Sequence, residues 1–212
     1  MSLAAAYMFG RKQGVDPFVF NAPMVGNGND SVVPLTALNG GNVSFGSGIH
    51  ASFNGANNSN LQYDDNAAFN FSNGTNDIAF EINFKISFSN GTQQLFLNKH
   101  GANGTNRTWE LRANSNKVRI TLYSELNSAN NLSYENSNIL TNGTEYQIKA
   151  TYDGNGNPLI FVNGDSTGVI IQNNAPFIKL GVSTNKVTVG RFLPSSSFNF
   201  DGTIRDLTIQ KL

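Results

Sequence analysis

The stretch Ala150–Gly164 constrains the fold more than any other part of the chain. Gln147–Tyr152 alternates polar and apolar residues, the period of a half-buried strand. Asp153-Gly154-Asn155-Gly156-Asn157-Pro158 then concentrates residues that tolerate positive φ or preset a turn. Leu159-Ile160-Phe161-Val162 resumes in β-branched and aromatic residues, and Asn163-Gly164 predicts a type I′ turn into a further strand. A chain built round such a hairpin needs other strands to cover its apolar face.

Those strands are present. Ile78–Phe88 places Ile78, Phe80, Ile82, Phe84, Ile86 and Phe88 on one face and Glu81, Asn83 and Lys85 on the other, which predicts a long central strand of an antiparallel sheet. Gln94–Lys99, Thr108–Arg112, Lys117–Tyr123, Gly168–Ile171, Val187–Gly190 and Phe198–Ile209 also read as strands, separated by Gly/Asn turns. Ser124–Asn138 is polar with little periodicity and is expected to cross the surface. No segment carries a helical period. The pattern predicts an all-β antiparallel sandwich over residues 41–212.

Residues 1–40 differ. Short apolar bursts around Tyr7, Phe9, Phe18 and Phe20 are broken by Pro17, Pro23 and Pro34, which confines them to edges or extended arms. Two readings stand: an edge strand with a loop, or an arm that docks the domain on an assembly. The apolar opening lacks a basic start and Arg11-Lys12 follow it, so a signal peptide is not expected.

Composition narrows the partners. Fourteen Lys and Arg balance fourteen Asp and Glu, which leaves no basic field for nucleic acid or anionic lipid. No apolar run approaches a membrane span. The absence of cysteine excludes disulfides and thiolate metal sites. Charged residues make up only 13% of the chain, while asparagine supplies about one residue in six, so the surface makes turns and hydrogen bonds without net charge.

In order, Phe53-Asn54-Gly55, Leu97-Asn98-Lys99 with Trp109-Glu110-Leu111, Tyr152-Asp153-Gly154 with Phe161-Val162-Asn163-Gly164, Val189-Gly190 and Phe200–Leu207 resemble the concanavalin A-like, laminin-G/pentraxin-type jelly-roll domains. The resemblance covers roughly residues 45 to 210 and implies a jelly-roll β-sandwich. It implies no single function, because that fold serves lectins, glycanases, adhesion modules and viral surface domains. Asp206, in an otherwise apolar strand, is expected to accept hydrogen bonds from a neighbouring loop.

Glycanases of this fold need paired carboxylates on one strand face. Glu81 stands alone on its strand and Glu110 shares its face with Arg112, so catalysis is not expected. His50 and His100 fit neither a nucleophilic triad nor a zinc site. Calcium is the family's usual ion. Asp64, Asp65 and Asp77 have the chemistry for it, and an Asn/Asp turn explains them equally well. A sugar is gripped by an aromatic face with neutral hydrogen bonders. His100, Asn103, Arg107, Tyr123 and Tyr134 are the candidate carbohydrate-binding residues, against the plainer reading of His100–Arg107 as a solvated loop. Trp109 alternates with Leu111 and belongs to the core.

Together these readings predict a non-enzymatic surface protein of a bacteriophage or similar virion: a capsid decoration, head-fibre or tail-associated domain. It would dock on capsid or tail proteins as a homo-oligomer or lattice and touch host glycans. The alternative is a free-standing bacterial lectin, extracellular or at the cell surface.

Overall fold

In the computed structural model the described residues are 18–22, 38–39, 41–46, 50–89, 93–100, 106–124, 130–172, 177–192 and 198–212. In chain order the strands are β1 (Phe18–Ala22), β2 (Leu38–Asn39), β3 (Val43–Gly46), β4 (His50–Asn54) and β5 (Leu61–Tyr63). Then come β6 (Phe80–Phe88), β7 (Gln93–Lys99), β8 (Trp109–Asn114), β9 (Lys117–Tyr123) and β10 (Asn131–Asn136). The last are β11 (Glu145–Tyr152), β12 (Pro158–Val162), β13 (Gly168–Gln172), β14 (Val187–Val189) and β15 (Asp201–Lys211). Among the described residues a 3-10 turn, Ala67–Phe69, lies between β5 and β6.

All pairings among the described strands are antiparallel. A seven-stranded sheet runs β12-β11-β6-β15-β4-β3, with β1 beside β15, and an eight-stranded sheet runs β13-β10-β9-β8-β7-β14-β5-β2. The expected all-β jelly-roll sandwich is the observed one. β6 is interior as expected, and its burial alternates along its whole length. The sheets meet through aromatic contacts: Phe84 of the first lies 5.9 Å from Phe96 of the second, and Phe96 meets Phe200 edge-on at 5.4 Å. Trp109 is buried, and its Nε1 donates to Phe69 O at 3.2 Å.

The founding hairpin forms as its residues require. Asn163 and Gly164 both take positive φ, 51° and 88°, which is the type I′ geometry. Asn163 also accepts the Gln147 amide through its side chain at 2.9 Å. Within the segment read as an arm, Phe18–Ala22 pairs with Gln210–Leu207 of β15 and Leu38–Asn39 pairs with β5, so these two stretches are strands of the sandwich. Tyr7 and Phe9 lie outside the described residues. Phe18 and Phe20 are placed here by their backbone pairing alone.

Two expectations are corrected. Ser124–Asn138 does not simply cross the surface, because residues 131–136 are β10, between β9 and β13. Leu132 and Tyr134 point inward from it. So does Asn136, whose Nδ2 donates to Ile160 O at 3.0 Å and Asp165 O at 2.8 Å, tying the second sheet to the first. Asp206 is held by the neighbouring strand, not a loop: Lys85 of β6 lies 2.8 Å from it. Asp206 sits at φ 55°, where the register of β15 against β6 shifts.

Candidate functional site

The register of the second sheet assembles a row that no single segment displays. Thr188 of β14 stands opposite Asn98 of β7, Asn98 opposite Glu110 of β8, Glu110 opposite Thr121 of β9, and Thr121 opposite Ser133 of β10. Side chains alternate faces along a strand. Trp109 and Leu111 point to the core, so this polar row lies on the outer face. All five residues are nonetheless buried.

Part of the row is internally satisfied. Ser133 Oγ donates to Thr121 Oγ1 at 3.1 Å, and Asn98 Nδ2 donates to Arg191 O at 2.8 Å. The centre is not. Glu110 has His100 Nε2 at 3.5 Å and Arg112 Nε at 3.4 Å, both beyond good hydrogen-bonding geometry. Glu110 Oε1, both ring nitrogens of His100, and the Nε atoms of Arg107, Arg112 and Arg191 are buried without a hydrogen-bond partner. Aromatic rings close the cluster. His100 meets Tyr123 and Phe192 edge-on at 5.3 and 5.1 Å, and the Arg107 guanidinium lies 5.4 and 5.6 Å from the same two ring centroids. Burial and the Glu110 carboxylate hold the Tyr123 phenol well above its ordinary range, against the pull of Arg107 and Arg112.

Of the residues singled out in sequence, His100, Arg107 and Tyr123 come together here. Asn103 lies outside the described residues. Tyr134 is elsewhere: it points inward from β10 and its hydroxyl donates to Ser166 O. His100 does not sit in a solvated loop, since its side chain is 0% exposed. The sequence reading missed Glu110, Arg112, Arg191 and Phe192 as members of the cluster. The shared parity of Glu110 and Arg112 on β8 is legible, but only the register of β8 with β7 and β9 brings them beside His100 and Tyr123.

Buried His100 carries a consequence for stability. Burial, with Arg107 and Arg112 nearby, lowers its pKa from 6.5 to about 3. Glu110, too far for a good hydrogen bond, does not offset this. The unfolded chain takes up this proton near pH 6.5 and the folded chain does not. The stability linked to His100 is therefore full above pH 6.5 and falls as pH drops towards 3, by up to about 1.4 kcal/mol per pH unit. Denaturant titrations between pH 7 and 4 should show a shallower acid loss in His100→Asn than in the parent. Parallel acid limbs would contradict the burial.

The calcium ligands expected from the resemblance are each engaged by protein groups. Asp64 pairs with Lys186 at 2.6 Å, and Asp65 pairs with Lys99. Asp77 accepts from the Tyr152 hydroxyl at 2.7 Å and from the Leu180 amide at 2.9 Å. Among the described residues no group of three or more His, Asp or Glu side chains is placed to hold a metal ion. Asp64 and Asp65 thus face lysine ammonium groups, and Asp77 is bound by a tyrosine hydroxyl and a backbone amide, as the Asn/Asp-turn reading requires.

No protein-family model and no curated protein matches the chain. Solved structures do. The binding domain of Paraclostridial Mosquitocidal Protein 1 is similar over 92% of this chain and 49% of its own length, with TM-score 0.73 and 13% identity. The botulinum neurotoxin type G receptor binding domain is similar over 93% and 49%, with TM-score 0.62 and 17% identity. A structure of botulinum neurotoxin type C, a toxin whose cell entry depends upon interaction with two ganglioside molecules, is similar over 93% and 49%, with TM-score 0.67 and 16% identity. The chain spans about half the length of each of these neighbours. At these identities the likeness establishes the architecture, an antiparallel jelly-roll β-sandwich.

Proposed function

We propose that this sandwich is a non-enzymatic glycan-recognition domain whose sugar seats against the outer face of the second sheet, on the half-buried Arg107 and Arg112 with Glu110, His100 and Tyr123 buried behind them. The observation that carries the reading is the concentration of buried, unpartnered donors and acceptors around Glu110. Protein interiors pair the great majority of such groups, and each one left unmatched costs about 1–3 kcal/mol. The unmatched set contains both kinds: arginine nitrogens and one imidazole nitrogen that donate, and the other imidazole nitrogen and a carboxylate oxygen that accept. A sugar hydroxyl does both at once, and Tyr123 and Phe192 add the ring surface that sugars favour. Among the described residues Glu110 is the one carboxylate in the cluster, whereas glycoside hydrolysis needs two. Glu135, on the same face, is already held by Arg119 at 2.7 Å. The ganglioside-dependent entry of the type C toxin supports the reading by analogy of fold.

The setting we propose is the surface of a virion, with the segment before β1 joining the domain to capsid or tail proteins. Support comes from the asparagine-rich, cysteine-free composition with no net charge. A free-standing lectin remains the alternative. Deletion of residues 2–16 keeps β1 on β15 and separates the two. Loss of particle association with glycan binding retained is expected for a virion protein, and unchanged association would remove the docking role.

Glycan-array screening followed by calorimetry tests the site. Glu110→Gln and Arg107→Ala should each weaken the best array ligand by about tenfold to a hundredfold, as for losing a hydrogen bond to a charged group. Retained affinity in both variants, or a folded protein that binds no glycan, would refute the proposal.

A further inference from the structure

A cavity of 520 Å³ opens elsewhere, lined by Thr75, Asn76, Asp77, Tyr152, the Gly154–Gly156 turn, and Phe177–Lys179. Its size is that of a small-ligand site. The turn that opens the β11–β12 hairpin forms one wall. Gly154, at φ 80°, lets that turn close on residues 77–79: a Cβ there would lie 3.3 Å from Ala79 N and 3.4 Å from Asp77 O.

The charges of this cavity are already engaged. Asp77 accepts from Tyr152 and from the Leu180 amide, one bond on each oxygen. Lys179 Nζ donates to Gly74 O. What the walls offer is uncharged: the Thr75 hydroxyl, the Asn76 and Asn155 carboxamides, backbone of the glycine turn, and the half-buried ring of Phe177 in front of the buried ring of Tyr152. Those rings stand 6.5 Å apart at 83°. Ile178, 57% exposed, adds an apolar edge. The arginine-rich outer face has the opposite character. The two regions flank one segment: Leu180 donates to Asp77 at 2.9 Å, and Gly181 N donates to Tyr123 O at 2.9 Å.

We infer that this cavity is a second binding site, for a neutral pyranose, distinct from the outer face and independent of whether that face binds glycan. Ring surface in contact with amides and a hydroxyl, with Asp77 and Lys179 already hydrogen-bonded to protein groups, matches a sugar that binds through its hydroxyl groups.

The test is amide chemical-shift titration of the ¹⁵N-labelled full chain with methyl β-galactoside, methyl α-glucoside and N-acetylglucosamine, with glucuronate as the charged counterpart. At least one neutral sugar should shift Thr75–Asp77, Gly154–Gly156 and Phe177–Lys179, and should do so more strongly than glucuronate. Thr75→Arg, a surface change that fills the mouth, should weaken binding about tenfold or more. Asn155→Ala, on the opposite wall, gives a second reading should Thr75→Arg disturb folding. Glu110→Gln should leave these shifts unchanged. No shift in the three segments, or full binding by both wall variants, overturns the inference. Shifts confined to His100, Arg107 and Tyr123 overturn it too, while leaving the outer-face reading intact.

Discussion

Alanine at Gly202 is expected to remove about 3 kcal/mol or more of stability, enough to leave much of the chain unfolded at ordinary temperature. Gly202 closes the Phe200-Asp201-Gly202 motif and enters β15 beside Phe88 of β6. A Cβ at this position would lie 2.2 Å from Ser87 O and 2.7 Å from Phe88 Cα. Both are backbone atoms of a hydrogen-bonded neighbour, so no side-chain rotation relieves the collision. Relief requires β15 to move off β6, and β15 also carries β4 and β1. Gly143 is the control. It has φ 73° but nothing within 4 Å of the added carbon, so Gly143→Ala should cost only the left-handed backbone strain, about 1–2 kcal/mol. Urea denaturation of the two variants decides the matter. Equal losses would mean that the close strand approach at Gly202 is not as described.

That motif was legible because turns and strand periods are local. Asn163-Gly164 needs two positive φ values, and asparagine with glycine supplies them; the alternation of Phe80–Phe88 needs only a count of two. β10 was illegible for a related reason. Its inward positions are Leu132, Tyr134 and Asn136, and the last reads as polar surface until Ile160 and Asp165 supply the carbonyls that satisfy it. The candidate site depended on information of another kind. His100, Arg107 and Tyr123 stood out in sequence, whereas Glu110 and Arg112 read as a charge pair on one strand face. Only the pairing of β14, β7, β8 and β9 sets Glu110 between Asn98 and Thr121 and brings His100 beside it. Register between strands so far apart in sequence has no local signature.

The same limit hid Lys99, which is expected to show the other large effect. Its side chain is 0% exposed, in register with Trp109 and Val187, and its ammonium pairs with Asp65 across 34 residues of sequence. Burial lowers the Lys99 pKa, and the hydrogen bond to Asp65 opposes that shift. Asp65→Ala would strand the charge and should cost about 3 kcal/mol near pH 7, the lower end of the range for broken buried pairs, because Asp65 is 29% exposed and water reaches the pair from that side. The deficit should shrink as pH rises towards 10. The unpaired lysine can shed its proton in the folded state, and that becomes less costly as the solution approaches the unfolded value of about 10.4. Lys99→Met in the same chain removes the stranded charge at similar volume, so the double variant should recover most of the loss. Thermal and urea unfolding of the parent, the single variant and the double variant give the coupling directly. A single variant as stable as the parent would place Lys99 in water, and a double variant no better than the single would show that Asp65 supports the fold through something other than the lysine.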